Sequence, residues 1–123
     1  MAAIVSFSPI SIRYFSRNSS PPSSPVHYYA HGRNGDFVVQ APLVLGHESA
    51  GIVTAVGPGV KNLVPGQRVA IEAGIMCNNC SFCAKGRYNL CKNMRFCSSA
   101  SKFPHTDGTL QERMNHPAHV LHP

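Results

Sequence analysis

The chain has no tryptophan, few charged residues and no long apolar run, and the last two features limit the partners it can bind. Only 13% of its 123 residues are charged, and a net charge of +6 is spread thinly along the sequence. Because no Lys/Arg run or basic helix concentrates that charge, we expect no nucleic-acid partner. No apolar stretch approaches the roughly 20 residues of a membrane span, so we expect no membrane partner either.

The sequence also lacks a dinucleotide-binding fingerprint. No Gly-x-Gly-x-x-Gly is present, and Gly57-Pro58-Gly59 lacks both the third glycine and a following helix. We therefore expect no Rossmann domain and no bound NAD(P) in this chain.

Short strands and frequent turns dominate the rest of the pattern. The length allows one domain at most, and ten Gly and ten Pro punctuate it. No segment from 26 to 123 shows a long 3.6-residue period, apart from a short helical turn expected at 81–85. The alternation and turns predict strands at 37–40, 50–56, 68–72, 109–114 and 118–121. This pattern predicts a mainly β fold, either a small barrel or a sandwich.

Residues 1–22 differ in composition from the remainder. They are rich in serine and proline, carry Arg13 and Arg17, and contain no acidic residue. Two interpretations stay open, a mitochondrial transit-like segment and an unstructured leader from a misread exon, and we favour the leader. The expected division is a disordered leader at 1–22 and one domain at 23–123.

Four of the five cysteines lie within 15 residues, with the spacing C-x2-C-x2-C-x7-C, at Cys77, Cys80, Cys83 and Cys91. An odd cysteine count without a signal peptide argues against a secreted disulfide scaffold. Four clustered thiolates favour a tetrahedral zinc site, and an iron–sulfur cluster is the rival. A zinc site closed by four thiolates has no position left for substrate, so we expect it to be structural.

Two weaker candidates lie outside the cysteine cluster. His47 and Glu48 follow an apolar run, and an imidazole beside a carboxylate can serve as a metal ligand with a neighbouring carboxylate. Ser24 and His27, followed by Tyr28, place a hydroxyl near an imidazole that could pass a proton. By spacing alone, a surface pair and an ordinary loop are the default interpretations. The late histidines fit no ligand spacing: His105, His116, His119 and His122.

As a set, five segments resemble the N-terminal catalytic domain of the zinc-dependent medium-chain alcohol dehydrogenase family, and most closely its polyol branch. That branch includes sorbitol, xylitol and arabinitol dehydrogenases. The resemblance covers about residues 23–123, with a further similar turn at 107–110. The matching segments are Val26-His27-Tyr28-Tyr29, Gly35-Asp36-Phe37-Val38-Val39, Val44-Leu45-Gly46-His47-Glu48-Ser49-Ala50-Gly51, Val64-Pro65-Gly66-Gln67-Arg68-Val69-Ala70 and Gly86-Arg87-Tyr88-Asn89-Leu90-Cys91.

The resemblance implies a partial GroES-like barrel with a zinc-binding loop, normally joined to a Rossmann domain that binds NAD(P). It makes the four clustered cysteines structural zinc ligands. It makes His47 a catalytic-zinc ligand with Glu48 as its adjacent carboxylate. It places Ser24 and His27 on proton-relay positions, and Tyr28 and Phe96 on substrate-pocket positions. The implied reaction is oxidation of a sugar alcohol to a ketose.

One departure from the family pattern affects the catalytic site. The family has Cys-Gly-Ser-Asp-Val-His where this chain has Pro22-Ser23-Ser24-Pro25-Val26-His27. Pro22 therefore stands at the position of a catalytic-zinc cysteine, and a proline side chain cannot bind a metal. We expect a fragment of a cytoplasmic polyol dehydrogenase that is inactive alone. Two alternatives stay open: a non-catalytic zinc-stabilised β module, perhaps partnering a full-length paralogue, and an incomplete gene product that does not fold.

Overall fold

The computed structural model describes residues 4–7 and 23–123, which form short strands with two α-helices and two 3₁₀ helices. The helices are α1 (Ser23–His31) and α2 (Ser81–Ala84), with 3₁₀ helices at Tyr88–Leu90 and Ala118–Val120. The strands are β1 (Ile4–Phe7), β2 (Arg33–Asn34), β3 (Phe37–Val38), β4 (Ser49–Ala55), β5 (Arg68–Ile71), β6 (Gly74–Ile75), β7 (Arg95–Phe96), β8 (Asn115–Pro117) and β9 (Leu121–His122).

The main sheet has five antiparallel strands in the order β8-β1-β4-β5-β9. Its two outermost strands, β8 and β9, come from one short run of chain, separated only by the 3₁₀ helix Ala118–Val120. The sheet must therefore curl so that both edges meet that run. Strand pairing does not close a complete ring within the described residues, which agrees with the expected partial barrel.

The core lies inside this curved sheet. Val53 of β4 and Val69 of β5 are buried, and they pack with Leu63, Ala118 and Leu121. Along β4 the alternation of Gly51 and Val53 inward follows the two-residue period of a strand. The turn before β5 is fixed by the amide of Gly66, which donates to the carbonyl of Val53 across 2.8 Å.

Three of the predicted strands and the predicted helical turn are present in the structure. The predictions at 50–56 and 68–72 agree with β4 and β5 to within one residue at each end, and the one at 37–40 shortens to β3. The helical turn at 81–85 is confirmed as α2. These are local patterns, and local patterning is what sequence periodicity measures.

The strands predicted at 109–114 and 118–121 are wrong, because the late strands lie at other residues. The amides of Gly108, Thr109 and Leu110 donate to carbonyls of the 44–46 segment, so this stretch joins two loops and is not a strand. Residues 118–120 form a 3₁₀ helix, and strand structure falls instead at 115–117 and 121–122. Hydrogen bonds between segments distant in sequence thus determine the structure of residues 108–110, and the local apolar pattern does not.

Helix α1 is a further correction, because the sequence predicted a loop over residues 24–28. The helix has no strong apolar stripe, but its end is well defined: Gly32 adopts a φ of +65° and its amide donates to the carbonyl of Tyr28 across 2.9 Å. A glycine in the left-handed region just past the last turn is a common helix stop. Within the described residues, no helix has the length and apolar character needed to cross a membrane.

Most of the predicted leader, residues 1–22, lies outside the described residues. The exception is β1, which pairs with β4 and β8 in the main sheet. The division of the chain at residue 22 stays a prediction.

Candidate metal centre

The loop between β6 and β7 brings the four clustered cysteines together. Cys80 immediately precedes α2 and has an extended backbone, and its carbonyl accepts the amide of Ala84 across 3.0 Å. Cys91 follows the 3₁₀ helix Tyr88–Leu90 and is the buried member. The turn between the two helices uses Gly86 with a φ of +71°. Short helices and tight turns thus fold a 15-residue segment back on itself.

The sulfur atoms have the spacing that one tetrahedral ion requires. All four ligand atoms lie within 4.8 Å of one another. The Sγ atoms of Cys80 and Cys83 are 3.6 Å apart, and those of Cys77 and Cys83 are 4.0 Å apart. Tetrahedral zinc with bonds of about 2.3 Å places its sulfurs about 3.8 Å apart. The four cysteines therefore form a potential zinc-binding cluster, and all are free of disulfides.

The protonation of the cluster is uneven. Backbone hydrogen bonding, chiefly involving Cys83, lowers the pKa of Cys80 to about 6, and backbone hydrogen bonding at Asn79 lowers the pKa of Cys77. Burial, followed by the thiol of Cys80, raises the pKa of Cys83 to about 11. Close thiolates repel one another, so full ionisation of the cluster needs a cation to balance the charge. A bound metal ion would supply that charge, because cysteine binds a metal as the thiolate.

The fifth cysteine is not part of the cluster. Cys97 is fully buried, and burial raises the pKa of its thiol to about 11. It lines a cavity of about 240 Å³. A buried thiol that stays protonated behaves as a small apolar side chain.

His47 lies at the end of the loop that leads into β4. Its Nδ1 atom is buried with no hydrogen-bond partner, and the same holds for the hydroxyl of Ser49. The ring of Phe96 packs edge-on against the imidazole, with 5.3 Å between centroids and 61° between planes. Glu48 is exposed. Within the described residues, the cysteine cluster is the one group of three or more His, Cys, Asp or Glu side chains that could hold a metal ion. A second zinc site around His47 is therefore not assembled by these residues.

The other predicted site residues lie on α1. The ring of His27 is exposed and lies beside that of His31, with 6.0 Å between centroids. Tyr28 is buried, and its hydroxyl accepts the amide of Ala100 across 3.1 Å. Ser24 falls within the helix, and its side chain is outside the described part of the structure. The relay role of Ser24 and His27 and the pocket roles of Tyr28 and Phe96 stay predictions.

Sequence reasoning missed the residues that hold the loop before His47. The amide of Val44 donates to Oδ1 of Asp107 across 3.0 Å, and the amide of Gln40 donates to Nε2 of His105 across 2.9 Å. The amide of Gly46 donates to the hydroxyl of Ser98 across 3.0 Å. These partners are 52 to 65 positions apart, and no local spacing signals them.

Besides His105, two more of the late histidines have structural contacts that their spacing did not indicate. His116 is buried and its Nε2 atom lies 3.1 Å from the carbonyl of Glu72. His122 pairs with the Glu72 carboxylate across 2.9 Å. Both contacts connect the 115–122 run to the end of β5.

Comparison with known proteins gives the family of this arrangement. The model of the alcohol dehydrogenase GroES-like domain matches residues 10–123. The chain belongs to this family. It is 54% identical to sorbitol dehydrogenase of Rattus norvegicus over 95 residues, covering 77% of this chain and 26% of that protein. It is 48% identical to L-idonate 5-dehydrogenase of Vitis vinifera over 97 residues, covering 79% and 25%.

A solved structure shares the fold of this GroES-like domain. L-idonate 5-dehydrogenase from Escherichia coli aligns with a TM-score of 0.79 at 32% identity, over 99% of this chain and 32% of that one. This chain thus spans about a quarter of the length of the curated relatives that it matches. The predicted resemblance to the polyol branch is confirmed at the level of family.

Proposed function

We propose that this chain acts as the GroES-like domain of a zinc-containing, NAD(P)-dependent polyol dehydrogenase that oxidises a sugar alcohol to a ketose. The observation that carries the proposal is a four-cysteine cluster with zinc spacing, inside a domain about half identical to polyol dehydrogenases. Cytoplasmic location goes with this proposal. The polyol and the choice between NAD and NADP are left open.

The cysteine cluster serves the proposed function as a structural zinc site. Cys77, Cys80, Cys83 and Cys91 supply four thiolates and leave no place for substrate. Their loop packs through Met76 and Val120, so an ordered loop extends the core beside β7. Because β7 carries Phe96, the metal would hold the segment that contacts His47.

His47 is the proposed residue of the catalytic centre, with Glu48 next to it. Zinc, when bound in such a centre, polarises a substrate hydroxyl and lowers its pKa. Phe96 presents a partly exposed apolar face beside the imidazole, suited to the carbon chain of a polyol. Ser24 and His27 on α1 are the proposed proton relay, and Tyr28 a second pocket residue.

We further propose that residues 1–123 alone do not catalyse the reaction. The described residues bring one half-buried imidazole, with its Nδ1 atom buried, to the centre and no second or third ligand with it. The direct test is an assay with sorbitol, xylitol and arabinitol and NAD, in which rat sorbitol dehydrogenase serves as the positive control. We expect no NADH formation above background from this chain, and robust turnover would contradict the proposal.

A chimera tests the positive part of the proposal. Residues 26–123 of this chain would replace the matching segment of rat sorbitol dehydrogenase, with the rest of that enzyme left intact. We expect sorbitol oxidation by the chimera and its loss in a His47→Ala version. A folded, zinc-loaded but inactive chimera would instead favour the alternative function, a non-catalytic zinc-stabilised module.

A further inference from the structure

One short segment, residues 96–98, contacts the His47 turn in two ways. The ring of Phe96 packs edge-on against the imidazole of His47. Two residues later, the hydroxyl of Ser98 accepts the amide of Gly46 in a buried hydrogen bond of 3.0 Å. The same segment therefore contacts both the side chain of the proposed metal ligand and the peptide just before it.

Ser98 is itself held in an uncommon backbone conformation. Its φ is +62°, in the left-handed region that residues other than glycine seldom occupy, and it is 2% exposed. Its amide donates to the carbonyl of Thr106 across 2.9 Å, and Ser99 forms an isolated bridge with Thr106. A strained residue held on both sides by its surroundings is often found at a functional position.

Both backbone groups of Gly46, the amide and the carbonyl, form hydrogen bonds. Its carbonyl accepts the amide of Thr109 across 2.8 Å, and this bond joins backbone to backbone. Its amide depends on one side chain, the hydroxyl of Ser98. Gly46 also has a φ of +91°, and a Cβ there would lie 2.6 Å from Cγ of Leu110, so the turn packs closely against Leu110 and has no space for a side chain at this position. The hydrogen bond between Ser98 and Gly46 can therefore be removed by mutating a side chain, whereas the bond between Thr109 and Gly46 joins backbone atoms.

We propose that Ser98 is a positioning residue for His47. Its hydroxyl fixes the Gly46 amide, and this keeps the imidazole in one orientation against Phe96. The proposal rests on the proposed function only in treating His47 as the metal-centre residue. The positional effect itself needs neither metal nor substrate.

The test compares Ser98→Ala and Ser98→Gly with Ser99→Ala in the full chain by NMR. Alanine removes the hydroxyl and keeps the Cβ, whereas glycine also relieves the left-handed strain. Ser99 offers a matched control because its hydroxyl bonds only with neighbouring Ser101 in an exposed loop. The readouts are the exchange rate of the Gly46 amide and the ring-proton shifts of His47. Phe96→Leu gives the reference for His47 shifts without the neighbouring aromatic ring.

In both Ser98 variants we expect the Gly46 amide to exchange about tenfold faster, because a buried donor loses its partner. We also expect the His47 ring shifts to move toward those of Phe96→Leu. Ser99→Ala should change neither quantity, and the cobalt–thiolate absorption of the cysteine cluster should be the same in all variants. If Ser98→Ala fails to fold, Ser98→Gly carries the test.

Two results would overturn the proposal. One is unchanged Gly46 exchange and unchanged His47 shifts in the Ser98 variants. The other is equally faster exchange of all core amides, which would make Ser98 a general stabiliser of the fold. Neither readout depends on turnover, so an inactive chimera would count against the proposed function and not against this positioning role.

Discussion

The phenol oxygen of Tyr28 accepts a hydrogen bond from the backbone amide of Ala100, 72 positions further along the chain. This bond connects α1 to the loop that also carries Ser98. Both partners are buried, Tyr28 at 5% exposed and Ala100 at 7%. Helix α1 is therefore anchored to the rest of the domain by a residue that the family resemblance places in the substrate pocket.

Removing that hydroxyl should destabilise the fold. Tyr28→Phe leaves the Ala100 amide buried without a partner, and we expect a loss of about 1–2 kcal/mol in the free energy of unfolding. Tyr29→Phe is the matched control, because Tyr29 is 87% exposed and should show almost no change. Urea unfolding followed by circular dichroism measures both. Equal stability of the two variants would show that the Tyr28 bond contributes nothing.

A second prediction concerns the close contact between two loops. A Cβ at Gly108 would lie against the carbonyl oxygens of Gly46 and Leu45, which are backbone atoms and cannot swing away. We expect Gly108→Ala to cost about 2–4 kcal/mol of unfolding free energy, in the range of overpacked and strained sites. It should also disturb the NMR signals of His47.

Gly35→Ala is the comparison for Gly108→Ala. Gly35 has a φ of +58° but open space around its Cβ position, so only conformational strain applies. We expect a cost of about 1 kcal/mol there. A smaller loss for Gly108→Ala than for Gly35→Ala would contradict the packing described for the two loops.

The cysteine cluster could be located from the sequence because its four members lie within 15 residues of one another. Four cysteines at this spacing can bind one metal ion without help from distant residues. The sequence located β4 and β5 because the alternation of a strand relates residues only two positions apart, such as the buried Gly51 and Val53. It missed α1, whose residues carry no clear helical period and whose anchor, Ala100, is far away in sequence. It missed Ser98 and Asp107 for the same reason: a side chain that bonds a distant amide leaves no local pattern.

A third prediction is a pH effect at His116. Burial lowers the pKa of this imidazole from its ordinary value of 6.5. The hydrogen bond to the Glu72 carbonyl partly opposes this shift, and the charge of His119 adds a smaller lowering effect. Below pH 6.5 the unfolded chain therefore binds a proton that the folded chain does not. The stability from a neutral His116 is present above pH 6.5 and is lost as the pH falls below it.

NMR titration of the imidazole nitrogens checks the pH effect. His116 should stay neutral, with Nε2 protonated and donating to the Glu72 carbonyl, at about pH 6.5, where a free imidazole is half charged. His116→Gln should reduce the loss of unfolding free energy between pH 7 and pH 5. A His116 that titrates at or above the ordinary imidazole pKa of about 6.5 would show that its burial has no electrostatic consequence.

We predict that the cysteine cluster, and not the His47 centre, holds zinc in this chain. The ordering energy of a four-thiolate site is on the order of 10 kcal/mol, and a single histidine holds zinc weakly. Three variants separate the possibilities: Cys83→Ser removes a cluster ligand, Cys97→Ser changes the cysteine outside the cluster, and His47→Ala removes the imidazole.

The most direct measurement is the zinc content per chain by native mass spectrometry after dialysis. We predict one zinc in the unmodified chain, in Cys97→Ser and in His47→Ala, and none in Cys83→Ser. Zinc that survives in Cys83→Ser and disappears in His47→Ala would contradict the account, as would a folded unmodified chain that retains no zinc.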